Sequence, residues 1–138
     1  MNWTRILLAS LGGFVIYFVF GGILSAPPSM RSEFLKYPQV YRPLANMKAV
    51  MPAGMLAIFA SIVVLAVIYA WINPAGSGMI AGLRFGALIG VFAIGAFVFH
   101  NYVNLNIGLR LTLIQAVVYF IEWVAVGVTI GLIYKPRP

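Results

Sequence analysis

Two ionisable residues, Arg84 and Glu122, lie inside long apolar runs of this 138-residue sequence, and they are the first place to look for chemistry. Glu122 sits at the middle of Leu111–Ile133. A charged carboxyl there costs about 3 kcal/mol even on insertion scales, so it faces protein or water, or stays protonated. At about 100° per residue, Thr112, Gln115, Tyr119, Glu122 and Thr129 share roughly a 100° arc of that helix. Such a polar stripe suits a proton or solute relay or a polar pocket. It equally suits interhelical hydrogen bonds that do nothing except fix packing. Arg84 stands about six residues, or roughly 9 Å, from the centre of its own run. If the two helices are antiparallel neighbours, both side chains are long enough for an Arg84–Glu122 ion pair. The plainer alternative is that Arg84 snorkels to its nearby interface.

The remaining inventory excludes most other chemistries. There is no Cys and no Asp, and a single His with two Glu cannot build a metal cage. His100, at the end of its run, lacks a second axial partner for haem and reads as a headgroup-level side chain. No Lys lies within a span, so a retinal Schiff base is excluded. No Ser-His-acid set, phosphate loop or dinucleotide fingerprint occurs. The Gly76-Ser77-Gly78 run has no strand before it and reads as a turn. Neither cofactor nor enzymatic activity is expected.

Small residues at spacing four form the second pattern. Gly82, Gly86 and Gly90 line one face of the third apolar run, Gly127 and Gly131 one face of the fourth. Ala9 and Gly13 do so on the first, Ala53, Ala57 and Ser61 on the second. Lipid offers no hydrophobic force between helices, so close backbone approach over small residues is what drives their association. Arg84 points roughly 160–200° away from the glycine row, giving that helix two distinct faces.

These residues must be carried by membrane helices. The chain is 63% hydrophobic and only 8% charged, with mean hydropathy +1.03. A soluble domain carries about 25% charged residues, so no water-facing surface can be assembled. Four runs approach the ~20 residues needed to span as a helix: 6–24, 52–72, 79–99 and 111–133. Period-2 alternation is absent, which argues against a barrel. The predicted fold is all-α, a polytopic up-down bundle of four transmembrane helices over residues 1–138. Pro27-Pro28 closes the first helix, and Pro52 fits the first turn of the second, where its missing N–H is harmless. Asn73 to Gly78 and Asn101 to Arg110 are short connections that force antiparallel neighbours. The segment 26–51 is the one sizeable extramembrane piece, read as an interfacial loop. Ser29 could cap a short helix there, with Met30, Phe34 and Tyr37 on one face and Arg31, Glu33 and Lys36 facing water. Anchoring by aromatics and docking to a partner are both open to it.

The formal charge of +7 comes mostly from residues flanking apolar runs, as lipid headgroups favour, and leaves no basic face for nucleic acid. Met1 to Arg5 resembles the start of a signal peptide, but the 19-residue run Ile6–Leu24 is too long for one and reads as a retained helix. Four crossings put both termini on one side. Arg31, Lys36, Arg42, Lys48 and Arg110 face Arg5, Lys135 and Arg137 across the membrane, which favours a cytoplasmic 26–51 loop and outside termini.

Arg5-Ile6-Leu7-Leu8 leads into Gly12-Gly13; Ile68-Tyr69 is followed by Pro74, Gly76, Gly78 and Gly82; and a Gly127 to Tyr134 stretch closes the chain. In this order of landmarks the sequence resembles a group of uncharacterised small four-helix bacterial membrane proteins. The resemblance implies a multi-pass fold in a bacterial inner membrane and brings no activity with it. The leading expectation is a non-enzymatic membrane component, a small homo-oligomer or accessory subunit among membrane lipid and other subunits. A small transporter or channel using the fourth-helix stripe, or a lipid or quinone pocket between helices, are the alternatives.

Overall fold

The computed structural model describes residues 1–73 and 78–135, without the side chain of Leu44. Helix α1, Trp3–Ser25, begins where the Asn2 side chain accepts the Arg5 N–H at 3.3 Å, and it stops ahead of Pro27. The short α2 spans Pro28–Leu35, and α3 spans Leu44–Ile72. Helix α4, Met79–Asn104, continues through a π-helical segment at Ile94–Phe99, and α5 spans Leu109–Ile133. All except α2 are long and apolar enough to cross a membrane, and no strand occurs among the described residues. The four long helices alternate in direction. At one end the Asn2 amide donates to the Lys135 carbonyl at 3.4 Å, and the Gly78 N–H donates to the Gly131 carbonyl at 2.7 Å. At the other end lie α2, residues 36–43 and the α4–α5 connection.

Three helix boundaries differ from the sequence expectation. Helix α3 begins at Leu44 rather than at residue 52, so Pro52 is inside it and not in its first turn. Proline leaves the Lys48 carbonyl without its usual donor, a loss that membrane helices tolerate. Its 29 residues span roughly 43 Å at 1.5 Å each, against about 30 Å of hydrocarbon. The added turns, with Asn46 and Lys48, reach into the headgroup zone. Helix α4 likewise extends to Asn104, whose side-chain amide donates to the His100 carbonyl at 2.8 Å. In α2 the first helical position is Pro28, and Ser29 lies inside the helix instead of capping it. Residues 74–77 and 136–138, including the predicted Gly76-Ser77 turn and Arg137, lie outside the described residues.

The helices pack side by side in the order α4, α5, α1, α3. Gly82 and Gly86 meet Gly127 and Gly131 backbone to backbone. A β-carbon placed on Gly86 would stand 2.6 Å from the Trp123 carbonyl oxygen, closer than real β-carbons come. At Gly90 the neighbour is the Phe120 ring, 2.9 Å away by the same construction. The glycine rows therefore serve contact within this chain. Gly13 of α1 sits against Ile62 of α3 and Val126 of α5, and Ile6, Ala9, Ala66, Tyr69 and Ile130 complete a core at that end. Helix α3 joins this core only through its C-terminal half. Ile62, Ala66, Tyr69 and Ala70 are buried, whereas every residue from 45 to 57 is exposed. Ala53, Ala57 and Ser61, the predicted small-residue row of that helix, are all exposed.

Gly86→Leu should destabilise the bundle by about 1–3 kcal/mol, the usual cost of overpacking. Gly22→Leu, at a site with no atom within 4 Å of the added carbon, should leave thermal unfolding in detergent unchanged. Equal melting temperatures for both variants would refute the close-contact reading of α4 and α5.

Candidate functional site

Helix α5 turns its polar stripe toward α1 and the α2 end of the molecule. Glu122 is only 5% exposed. Its carboxyl rests on α1 at Gly21, where a β-carbon would stand 2.6 Å from Oε1, so the missing side chain is what admits it. Tyr17 and Tyr119 lie within electrostatic reach of it, and Tyr119 is in turn within reach of Tyr41. No hydrogen-bond donor or cation among the described residues partners the carboxyl. Trp123, next in sequence, packs its ring 5.3 Å from that of Tyr17, and its buried indole N–H also lacks an acceptor. Gly21 stands one turn, about 6 Å, before the end of α1. The carboxyl therefore lies nearer the α2 end than the midpoint of α5 suggests, because helical side chains lean toward their own N-terminus.

The other stripe residues divide by partner. Gln115 Nε2 donates to the Tyr41 hydroxyl at 3.1 Å, tying α5 to the segment after α2. The Thr112 hydroxyl donates to the Gly108 carbonyl at 3.2 Å, and Thr129 to Ala125 at 2.8 Å, both within their own helix. Arg84 is not brought to Glu122: it is exposed, and no ion pair joins the two. The reason is rotational. With Gly82 and Gly86 against α5, a residue midway between them in sequence must point away from α5. His100 is exposed at the α2 end of α4.

A second polar cluster was not expected. Glu33 of α2 is buried, not facing water, and Lys36 Nζ donates to its Oε1 at 2.7 Å. Arg110 Nε of α5 approaches the same oxygen at 3.3 Å. The Lys36 hydrogen bond, with the charge of Arg110 behind it, holds the Glu33 carboxyl below its usual range against the opposing pull of burial. Beside it, the Gly108 N–H donates to the Tyr37 hydroxyl at 3.0 Å. Three contacts thus latch the interfacial segment onto the first turns of α5: Glu33–Arg110, Tyr37–Gly108 and Tyr41–Gln115.

Between α1 and the undocked half of α3 the structure is open. A cavity of about 580 Å³ near the α2 end is lined by Ser25, Phe34, Tyr41 and Met47, with Arg31 and Arg42 at its rim. A second, of about 340 Å³, continues along α3 past Met47, Met51 and Gly54 and reaches Tyr17 and Phe18 of α1. Met47 lines both, so the two adjoin along the groove; the outer one carries the two arginines among α2 and the segment after it, and the inner one is lined by apolar residues apart from Tyr17. Arg31 and Arg42 make no ion pair among the described residues.

No family model matches the chain, and no curated protein or solved structure matches it either. Of the residues that build this region, the sequence reading named Tyr119, Gln115 and Glu122 but missed Gly21, Tyr17, Tyr41 and Glu33 as parts of it. Tyr17, alone among apolar neighbours from Phe14 to Phe20, and Tyr37 and Tyr41 at spacing four were the available signals.

Because the Glu33 carboxyl is lowered in the fold, it binds fewer protons folded than unfolded as pH falls through the carboxylate range. Its contribution to stability is fully present above the unfolded value, near 4.3 for a free Glu, and is lost as pH falls through the lower folded value. The protection of α2 amides against hydrogen exchange, taken relative to the intrinsic rate at each pH, should therefore fall on acidification below about pH 4. Glu33→Gln should show the lower protection at neutral pH with no further fall. An α2 signal that ignores both acid and the substitution would contradict the latch.

Proposed function

We propose that this protein is a non-enzymatic, multi-pass membrane protein that holds one acidic amphiphile, a lipid with a phosphate-type headgroup, in the groove between α1 and α3. The observation that carries the reading is the basic rim on an apolar groove: Arg31 and Arg42 without carboxylate partners, above a floor of Phe34, Met47 and Met51. An ammonium or guanidinium near an anionic lipid contributes about 1 kcal/mol. The apolar floor takes the chain, and a groove open to the side lets a lipid enter from the bilayer without crossing water. Positive residues concentrate at this end of the molecule, so we place the groove mouth in the cytoplasmic leaflet of a bacterial inner membrane, with both termini outside.

The transport reading asks more of the chain. From Glu122 toward the opposite end the stripe continues only to Thr129, which bonds its own helix. Subunit assembly keeps a place as the competing occupant of the groove, since the glycine rows that first suggested it are taken up inside the chain.

Native mass spectrometry from nanodiscs mixing phosphatidylglycerol and phosphatidylcholine tests the proposal. The monomer should retain one phosphatidylglycerol, and the Arg31→Gln/Arg42→Gln pair should weaken its retention roughly 10- to 30-fold, as two lost cations require. Equal retention of both lipids, or none, would overturn it. A lipid-free dimer would give the groove to a second subunit.

A further inference from the structure

We infer that Glu33 is a positioning residue for the acidic headgroup, because its latch on Arg110 holds α2 and residues 36–43 as the wall that brings Arg31 and Arg42 to one cavity. The inference rests on the lipid-binding reading. The outer cavity is built mostly by this interfacial segment. Ser25 comes from α1 and Met47 from α3, and every other lining residue lies within 31–43. The segment is also tied to itself along its length. The Tyr37 N–H donates to the Phe34 carbonyl at 3.1 Å, and the Tyr41 N–H to the Tyr37 carbonyl at 3.1 Å. The rings of Phe34 and Tyr41 meet edge to face, their centroids 4.9 Å apart. Arg31 before this stretch and Arg42 after it are therefore carried on one piece.

What fixes this piece to the bundle lies on its other side. Two residues of a helix turn about 200°, so Arg31 and Glu33 occupy opposite faces of α2. Arg31 lines the cavity, while Glu33, only 3% exposed, is turned to Arg110 of α5. Tyr37 and Tyr41 make their contacts on α5 too, at Gly108 and Gln115. Charge gives Glu33 its weight. The chain has two acidic residues, and Glu122 lies in a span, so Glu33 is the one carboxylate among Arg31, Lys36, Arg42, Lys48 and Arg110. It is spent on Lys36 and Arg110, which leaves Arg31 and Arg42 to an anion from outside. Unlatched, two like charges have no reason to share a site. Latched, they line one cavity, and a phosphate there offsets their repulsion. The headgroup thus favours the latched segment, and the latch favours the headgroup by the same factor.

The chain has no cysteine, so a pair of introduced thiols can be joined without side reaction. Retention of phosphatidylglycerol over phosphatidylcholine is measured in nanodiscs for the wild type and Glu33→Gln. It is also measured for Glu33→Cys/Arg110→Cys before and after joining with a short bismaleimide. Glu33→Gln should weaken retention about fivefold or more, the lower end of ordinary coupling between two sites. The free cysteine pair should be as weak, and cross-linking should return most of the affinity with no carboxylate present. In the wild type, phosphatidylglycerol should slow hydrogen exchange at the α2 amides, and phosphatidylcholine should not. Wild-type retention in Glu33→Gln or in the free cysteine pair would overturn the inference and leave the lipid-binding reading standing. So would a cysteine pair whose weak retention ignores the cross-link, or α2 exchange that ignores phosphatidylglycerol. A wild type with no preference for phosphatidylglycerol would overturn the two together.

Discussion

The backbone contact between α4 and α5 sets the rotation of two helices at once, and most other features follow from those rotations. Gly82 and Gly86 press on Gly127 and Gly131 with no side chain between them. Among lipid tails, which are as apolar as any leucine, this kind of contact is the available source of association. With the glycine face of α4 spent in this way, Arg84 has to look outward. With Gly127 and Gly131 of α5 turned to α4, Gln115, Tyr119 and Glu122 are turned toward α1 and the segment that follows α2. The stripe is polar because of its residues, but it faces α1 and the segment after α2 because of the glycines on the other side of the same helix.

The groove itself comes from a change of side-chain size along α1. Near its start, Ala9, Ser10 and Gly13 are small and buried, and α3 docks there through Ile62, Ala66 and Tyr69. Further along stand Phe14, Tyr17 and Phe18. Phe14 meets Phe59 edge to face at 5.6 Å, and beyond that pair α3 makes no buried contact. Tyr17 and Phe18 on one helix and Met47 and Met51 on the other line the open space between the two. Methionine suits such a wall, because an unbranched thioether adapts to whatever lies against it. The proline at 52 falls within this undocked half, where a missing backbone hydrogen bond disturbs no packing.

Composition and run length made the architecture legible: four apolar stretches bounded by prolines and asparagines leave few alternatives to an up-down bundle. Two expectations taken together nevertheless conflicted. A glycine row packed on α5 and an Arg84–Glu122 ion pair cannot both hold, since Arg84 lies on the face opposite that row. The conflict was visible in the helical wheel before any coordinates. The burial of Glu33 was not visible there. It depends on Arg110 being brought alongside from a helix far away in sequence, and nothing local to α2 signals that. The early start of α3 was hidden for a different reason. Asn46 and Lys48 read as loop residues on hydropathy, yet both are compatible with a helix that outruns the hydrocarbon.

Gly21 shows how α1 and α5 are fitted to each other. Neither a positive φ nor a neighbouring backbone requires a glycine there, and Gly22 beside it meets nothing within 4 Å. What a side chain at Gly21 would meet is the Glu122 carboxyl and no other residue. The notch in α1 and the acid on α5 are therefore complementary to each other rather than to a third element. The acid is held against α1 with no hydrogen-bond donor or cation on it among the described residues. The fit of that acid to that notch fixes how α1 is rotated against α5, as the glycine rows fix α4 against the same helix.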